Sequence, residues 1–499
     1  MTNFTWFDGL IVGIYLVATM VAGVWMRKYV GKVEHFLVAG REMNVYLGIA
    51  SLAATEFGVV TCMYTAQGGY EKGFAGMVPG ITNFLAMLIV GWTGFCVKPL
   101  RDSGVITIPE LLHRRFGERI RWLAGVVIVL GGLLNMGVFL RMGGEFLVNV
   151  MGLDALDWGN DWVNAHKLEL MMTVLLGGVA LYTVLGGMLS VLVTDFLQFV
   201  VMSGGLLVVT ILILANVGWS RLVDTVQTNY GAAGFSPFKH PDMGWPYVMF
   251  NLLGNTAAVL TWQATIARVL SAKDTATGRK VYTRTSFFFL GRWVIPGLWG
   301  IAALAMLQPG GESLQAMPRF LSTFVPMGLM GLLVAAMLAA DMSTDSSYML
   351  TWGGVIYNDI LEPVHKGRWS EKKGLRANRI IIALIGVFLL VYGLWYKLEG
   401  ALWDYLLLTG TIYLASISTL LIACCYWRKA NSWGAGAAIV VGAAIPLGFL
   451  VMQKLPRTAL LAQDIGPHWS GIAAYVATGL AMVIGSLLKP QSAAMARQN

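Results

Sequence analysis

The sequence is poor in charged residues. Only 12% of its 499 residues are Asp, Glu, Lys or Arg, whereas 57% are hydrophobic and the mean hydropathy is +0.67. Soluble domains carry about 25% charged residues, so a soluble globular protein is excluded. The polar segments are too short for a separate soluble domain, and we predict a multi-pass membrane protein.

Cysteine and histidine are also scarce, and their positions exclude further classes. The four cysteines, Cys62, Cys96, Cys424 and Cys425, all lie in apolar runs, which argues against an extracellular disulfide framework. We interpret them as packing residues. All six histidines fall in polar loops, so they do not build a metal or catalytic centre within the membrane, and no enzyme is expected.

Hydrophobic runs long enough to cross a membrane recur along the whole chain. A hydrocarbon core of about 30 Å needs roughly 20 residues of helix, and thirteen such runs are predicted. They cover residues 8–27, 44–68, 78–98, 122–150, 169–187, 190–215, 244–267, 285–307, 320–358, 378–396, 402–426, 433–452 and 470–488.

Basic residues concentrate in alternate loops. Of 35 Lys and Arg, 25 lie on one side, including those of 27–43, 98–121, 268–284 and 366–379. Because cytoplasmic loops carry the excess of Lys and Arg, we expect the N-terminus outside and the C-terminus in the cytoplasm. The net charge of +9 follows from this topology and indicates no nucleic-acid partner.

A few ionisable residues fall inside the apolar runs, where each costs about 3 kcal/mol unless it has a partner or a function. Arg141 and Glu145 are four residues apart and can pair on one helix. The others are Glu56, Asp195, Asp341 and Asp345.

The stretch "AADMSTDSS", residues 339–347, divides into two faces at 100° per residue. Ala340, Ser343, Thr344 and Ser347 share one face, and Asp341, Asp345 and Tyr348 lie on the next. Hydroxyl oxygens suit a hard cation that must be released again. Small and hydroxyl residues also let membrane helices pack closely, and spacing alone leaves both interpretations open.

Two of the predicted spans contain helix-breaking residues at comparable places. The second span carries Glu56 and Gly58 near its middle, and the seventh carries Gly254 and Asn255. Interrupted helices at equivalent positions of inverted repeats indicate a transporter site at the bilayer midplane.

Four stretches together resemble the sodium:solute symporter family. These are "YTVLGGMLSVLVTDFLQ" (182–198), "VITIPELLHRRFG" (105–117), "WQATIARVLSAKD" (262–274) and "AADMSTDSS" (339–347). The resemblance implies a LeuT-like, all-α fold in one transmembrane domain spanning 1–499. Within it, residues 44–215 and 244–426 would form two inverted five-helix repeats, with one helix (8–27) before them and two (433–488) after.

The resemblance also implies sodium-driven symport and a set of ion ligands. The main sodium site would use the backbone oxygens of Ala54, Phe57 and Ala340 and the hydroxyls of Ser343 and Thr344. A second site would use Asp195, Ser343, Ser346 and Ser347. One or two sodium ions are expected, with no organic cofactor.

The solute is expected to bind beside the two interrupted helices. Candidate pocket residues are Glu56, Gly58, Thr61, Tyr64, Gln67, Asn251, Asn255 and Trp262. A pocket-facing Glu56 favours a cationic or zwitterionic solute such as an amine, an amino acid or a quaternary ammonium compound. Alternatively, Arg141 binds a carboxylate with Glu56 as its resting partner.

Three further points stay open at this level. Arg141, Asp341 and Asp345 are candidates for charge coupling, including coupling to protons instead of sodium. A membrane sensor of the same solute is the alternative from another class. We expect the plasma membrane, as the inner membrane of a bacterium, and leave the oligomeric state unassigned.

Overall fold

The computed structural model describes residues 2–153, 156–307, 312–365, 369–396 and 401–489. Within these ranges the chain is helical and contains no strand, only a bridge between Met43 and Ala272. The first eleven helices are α1 (Trp6–Trp25), α2 (Val33–Val38), α3 (Val45–Thr55), α4 (Val59–Lys72), α5 (Val78–Thr93), α6 (Val97–Asp102), α7 (Ile108–Phe116), α8 (Glu118–Met136), α9 (Phe139–Met151), α10 (Asp161–Ala165) and α11 (Lys167–Asn216).

The second half of the chain continues in the same way. Its helices are α12 (Trp219–Tyr230), α13 (Gly244–Thr261), α14 (Gln263–Ser271), α15 (Thr275–Met306), α16 (Ser313–Phe324), α17 (Leu329–Val355), α18 (Glu362–Val364), α19 (Glu371–Trp395), α20 (Leu402–Tyr426), α21 (Ser432–Lys454) and α22 (Ala459–Leu488). A π-helical segment, Ile356–Leu361, joins α17 to α18.

Ten helical segments in the described ranges are long and apolar enough to cross a membrane. One of them, α11, is 50 residues long, about 75 Å at 1.5 Å per residue. Gly187 interrupts it with φ 52° and ψ −147°, so two spans meet at the last residue of the predicted span 169–187. A multi-pass membrane protein is therefore confirmed, whereas the number thirteen stays a prediction.

The predicted span 320–358 is wrong at its beginning. Helix α16 ends at Phe324 and α17 begins only at Leu329. Pro326 and Gly328, the latter at φ 84°, separate the two helices, because proline lacks the donor of a helix interior and glycine adopts positive φ. "AADMSTDSS" therefore lies in the middle of α17.

Helix α17 forms the centre of the fold. It packs against α1, α3, α8, α9, α11 and α19, and nearly every one of its residues is buried. Such burial on all sides explains how a helix in a membrane protein can carry so many polar side chains without exposing them to lipid.

Helices α4 and α15 meet at a seam of small residues. A Cβ atom added to Gly300 would lie 1.9 Å from the carbonyl oxygen of Ala66, and one added to Gly69 would lie 2.1 Å from that of Gly297. The two backbones are therefore in direct contact, which only glycine permits.

Candidate functional site

The first interrupted helix breaks where the sequence predicts. Helix α3 ends at Thr55 and α4 begins at Val59, so Glu56, Phe57 and Gly58 stand between them. The Thr344 hydroxyl of α17 lies at this break and donates to the carbonyl oxygens of Thr55 and Ala340, both at 3.0 Å. A Cβ on Gly58 would lie 2.8 Å from the Thr344 Oγ1, so the glycine permits this approach.

The second break lies seven residues beyond Asn255, so its predicted position is wrong. Helix α13 runs through Gly254 and Asn255 and ends at Thr261, and Trp262 (φ −63°, ψ 118°) separates it from α14. Asn255 is satisfied inside the helix bundle, since its Nδ2 donates to the Thr82 Oγ1 at 2.9 Å. Gly254 faces Leu407, whose Cδ1 would be 2.6 Å from an added Cβ, so close packing accounts for the glycine.

Both breaks border one central cavity. It is lined by six of the predicted pocket residues, Glu56, Gly58, Thr61, Tyr64, Asn255 and Trp262. Sequence reasoning missed other lining residues, among them Asn83, Asn135, Arg292, Tyr348 and Trp403.

Two groups of aromatic rings border this cavity. In one, the ring of Tyr64 lies 5.1 Å from that of Trp293 and 4.9 Å from that of Trp403. In the other, the Trp262 Nε1 donates to the Tyr348 hydroxyl at 3.0 Å.

Gln67 and Asn251 do not reach the cavity, contrary to expectation. The Gln67 amide donates to Glu71 and to Ser313, both at 3.1 Å, one turn or more beyond the lining residues of α4. The Asn251 Oδ1 accepts from the Trp403 Nε1 at 2.8 Å. Asn251 is therefore a positioning residue for a ring that does line the cavity.

Glu56 forms an ion pair with Arg292, a partner that was not predicted from the sequence. The Arg292 Nη1 of α15 donates to the Glu56 backbone oxygen at 2.5 Å and lies 3.3 Å from its Oε2. The Thr265 hydroxyl of α14 donates to the other carboxylate oxygen at 2.7 Å. The expectation of a cationic solute depended on an unpaired carboxylate in the pocket. Because the Glu56 carboxylate is paired, that expectation loses its basis.

Arg141 is not the resting partner of Glu56. Its Nε donates to Glu145 at 2.8 Å, and its Nη1 donates to the Gly393 carbonyl at 3.1 Å. This is the pair between neighbouring turns that the spacing predicts, and it lies away from the cavity.

The hydroxyl face of α17 meets Asp195 of α11. The Ser343 hydroxyl donates to the Asp195 Oδ1 at 2.6 Å, and Ser51 of α3 donates to the Oδ2 at 2.5 Å. Ser347 shares a 2.9 Å hydrogen bond with Thr55, whereas Ser346 donates to the Ser343 carbonyl of its own helix. The structure therefore brings Asp195, Ser343 and Ser347 together, with Ser346 directed back along α17.

A buried arginine completes this cluster. Arg268 of α14 is fully buried, and its Nη2 lies 2.9 Å from the Asp195 Oδ2. The prediction that Arg268 belongs to the cytoplasmic loop charges of 268–284 is wrong, because Arg268 lies in α14 and is buried. Its apolar neighbours in the sequence could have indicated a buried position, since an arginine on a membrane helix requires a partner.

Asp341 and Asp345 lie on a different face of α17 from Ser343 and Ser347. Neither carboxylate makes a hydrogen bond or an ion pair with any residue that the structure describes. A Cβ on Gly143 of α9 would lie 2.6 Å from the Asp341 Oδ2, so this glycine makes room for the carboxylate. Their candidate role in charge coupling stays a prediction.

In the described ranges, no group of three or more His, Cys, Asp or Glu side chains is arranged to hold a metal ion. At the α3–α4 break the Thr344 hydroxyl meets the carbonyl oxygens of Thr55 and Ala340, and such oxygens are the ligands that a weakly held hard cation requires.

Comparison with known proteins agrees with this architecture. A sequence profile of the sodium:solute symporter family matches residues 36–442. The sodium/glucose cotransporter 4 of Danio rerio is 27% identical over 89% of this chain and 72% of its own length. The sodium/myo-inositol cotransporter of Homo sapiens is 27% identical over 97% of this chain and 73% of its own.

Solved structures support the fold. A Na⁺-coupled sialic acid symporter in a substrate-bound outward-open state matches with a TM-score of 0.79 at 19% identity, over 97% of this chain and 99% of that one. The all-α, LeuT-like fold is thus confirmed. The chain belongs to the sodium:solute symporter family and is a sodium-coupled membrane transporter, not an enzyme.

Proposed function

We propose that this protein carries a small, uncharged, hydroxyl-bearing organic solute into the cell together with sodium, by alternating access. The observation that carries the proposal is the pairing of Glu56 with Arg292 at the cavity wall. Their charges cancel, so the wall offers no unpaired charge to a cation such as choline.

The rest of the cavity wall suits hydroxyl groups. Three amides line it, those of Asn83, Asn135 and Asn255. Their nitrogens donate to protein groups, whereas the Asn83 Oδ1 has no partner among the described residues and can accept from a solute hydroxyl. Tyr64 and Trp403 supply flat apolar faces. Two relatives are named for glucose and myo-inositol, which are neutral polyhydroxylated solutes, and this supports the same class here.

A carboxylate-bearing solute, whether zwitterionic or anionic, is the second candidate. The Arg292 Nε is buried without a partner in the described part of the chain. Guanidinium groups recognise carboxylates in bidentate geometry, so a solute carboxylate could accept a hydrogen bond from the Arg292 Nε, which does not bond Glu56.

Sodium is proposed to bind at the α3–α4 break through the backbone oxygens of Ala54, Phe57 and Ala340 and the hydroxyls of Ser343 and Thr344. An ion at this place joins α17 to the interrupted helix that borders the cavity. Binding of sodium and of solute would then each favour the same arrangement of the two helices, which is the coupling that symport requires.

The orientation is part of the proposal. The bias of Lys and Arg toward alternate loops supports an outer N-terminus and a cytoplasmic C-terminus. The plasma membrane, in a bacterium the inner membrane, is the location we propose.

Uptake into proteoliposomes tests the proposal. Labelled glucose, myo-inositol, proline, choline and lactate would be offered with an inward sodium gradient, with potassium in its place, and with an inward proton gradient. We expect sodium-dependent uptake of a neutral polyol or sugar. Uptake of choline alone, or uptake driven by protons and not by sodium, would contradict it.

A pair of threonine variants locates the ion site. Thr344→Ala is expected to raise the sodium concentration for half-maximal uptake at least tenfold, because it removes a proposed ligand. Thr351→Ala, two turns further along α17, removes a hydroxyl that donates to the Ser347 carbonyl at 2.9 Å, and should leave the sodium dependence within twofold. Equal effects of the two variants would argue against the site.

A further inference from the structure

The Arg268 guanidinium lies against two of the four residues of the second predicted sodium site, Asp195 and Ser347. Its Nη2 lies 2.6 Å from the Ser347 Oγ, 2.9 Å from the Asp195 Oδ2 and 2.6 Å from the Thr55 Oγ1. Two of these oxygens belong to residues that the resemblance assigned to an ion.

More oxygens surround the Arg268 Nη2 than its hydrogens can bond individually. A guanidinium NH₂ group carries two hydrogens, yet three oxygens surround the Nη2 within 2.9 Å. Oxygens converge on it as they do on a bound cation, and the side chain is fully buried.

The remaining nitrogens fix the guanidinium in place. The Nε lies 3.0 Å from the Ser51 Oγ, and the Nη1 donates to the Ala264 carbonyl at 3.2 Å. Arg268 is thus anchored to α3, α11, α14 and α17 together, and a sodium ion at the same oxygens would have to displace a positive charge that is held by five polar contacts.

We propose that Arg268 is a built-in cation that fills the second site, so that this protein binds a single sodium ion, at the main site. The inference rests on the proposed function, because it concerns the sodium sites of that cycle. Asp195 then acts as a positioning residue, since it accepts the Ser343 hydrogen and leaves the Ser343 oxygen lone pairs free for sodium at the main site.

Counting sodium sites tests this inference without a known solute. Purified protein in nanodiscs would be titrated with ²²Na⁺ at constant ionic strength, with N-methylglucamine as the replacement cation. The wild-type protein should bind one sodium ion with a Hill coefficient of about 1. Asp195→Asn should also bind one, because Asp195 does not hold sodium while Arg268 is present.

Removal of the guanidinium should open the second site. Arg268→Ala exposes the Asp195 carboxylate and the hydroxyls of Ser347 and Thr55, so the number of sodium ions bound at saturation should rise to two. The double variant Arg268→Ala/Asp195→Asn should return to one. Arg279→Ala, which removes an arginine that bonds the Gly91 carbonyl outside the cluster, is the matched control and should leave one.

Two bound ions in the wild-type protein would overturn the inference, as would a count of one in a folded Arg268→Ala variant. If that variant does not fold, the wild-type and Asp195→Asn counts decide, because a drop from two to one would identify Asp195 as a sodium ligand. Absence of any saturable sodium binding in the wild-type protein would instead contradict the proposed main site.

Discussion

Two buried arginine–carboxylate pairs in the described part of the chain differ in what surrounds them. Arg268 and Asp195 are both 0% exposed, and every oxygen near the pair belongs to the helices that enclose it. Arg292 and Glu56 are 7% and 8% exposed, and both line the cavity. The enclosed pair is saturated with protein partners, whereas the cavity pair retains an unpartnered nitrogen.

This difference separates a structural charge from one that a solute can reach. Breaking an enclosed pair leaves an uncompensated charge with no access to water, which is strongly destabilising. At the cavity wall, water or a solute replaces the lost partner, so a change there affects selectivity more than stability.

The largest expected effect is on stability. Asp195→Ala should lower the free energy of unfolding by about 3 to 5 kcal/mol, because Arg268 remains buried without its counter-ion. Glu56→Ala should cost less than half as much, because Arg292 borders the cavity. Denaturant titration in detergent micelles measures both. Similar losses in the two variants would show that the cavity pair is as enclosed as the other.

Asp341 extends the comparison to a buried carboxylate that has no arginine partner among the described residues. Gly143→Ala should cost about 1 to 3 kcal/mol, because its Cβ would lie 2.6 Å from the Asp341 Oδ2. In an Asp341→Ala background the same change should cost less than about 0.5 kcal/mol, since the side chain in its way is absent. Additive losses in this double-mutant cycle would show that another contact fixes the glycine.

The smallest expected effect concerns selectivity. Glu56→Gln leaves the Thr265 hydrogen bond possible and gives the cavity wall a net positive charge from Arg292. We expect the ratio of carboxylate to neutral-solute uptake to rise about tenfold, or about 1.4 kcal/mol. An unchanged ratio in proteoliposomes would mean that Arg292 does not contact the solute.

The membrane class, the break at 56–58 and the hydroxyl face of α17 were predictable, because each depends on local properties of the chain. Hydropathy requires no partner, and Glu56 and Gly58 stand two residues apart within one predicted span. The ion pairs were less accessible, since Arg268 is 73 positions from Asp195 and Arg292 is 236 from Glu56. No local pattern selects such a partner.

The second helix break shows a different limit. Gly254 and Asn255 resemble a break, yet their neighbours on α5 and α20 supply the packing and the hydrogen bonds that keep the helix intact. The actual break is at Trp262, a residue with no special backbone preference, so tertiary contacts decide its position. Gln67 and Asn251 were misplaced for a related reason, because a polar residue on an interrupted helix can also bond a neighbouring helix.

The glycine seam between α4 and α15 has a mechanical consequence. Backbones that touch without intervening side chains have no rotamers with which to absorb sliding, so we expect the two helices to move as one rigid unit. Glu56 begins the segment that leads into α4, and Arg292 lies on α15, two turns from Gly300. We therefore expect the Glu56–Arg292 pair to stay intact when the helices rearrange during transport.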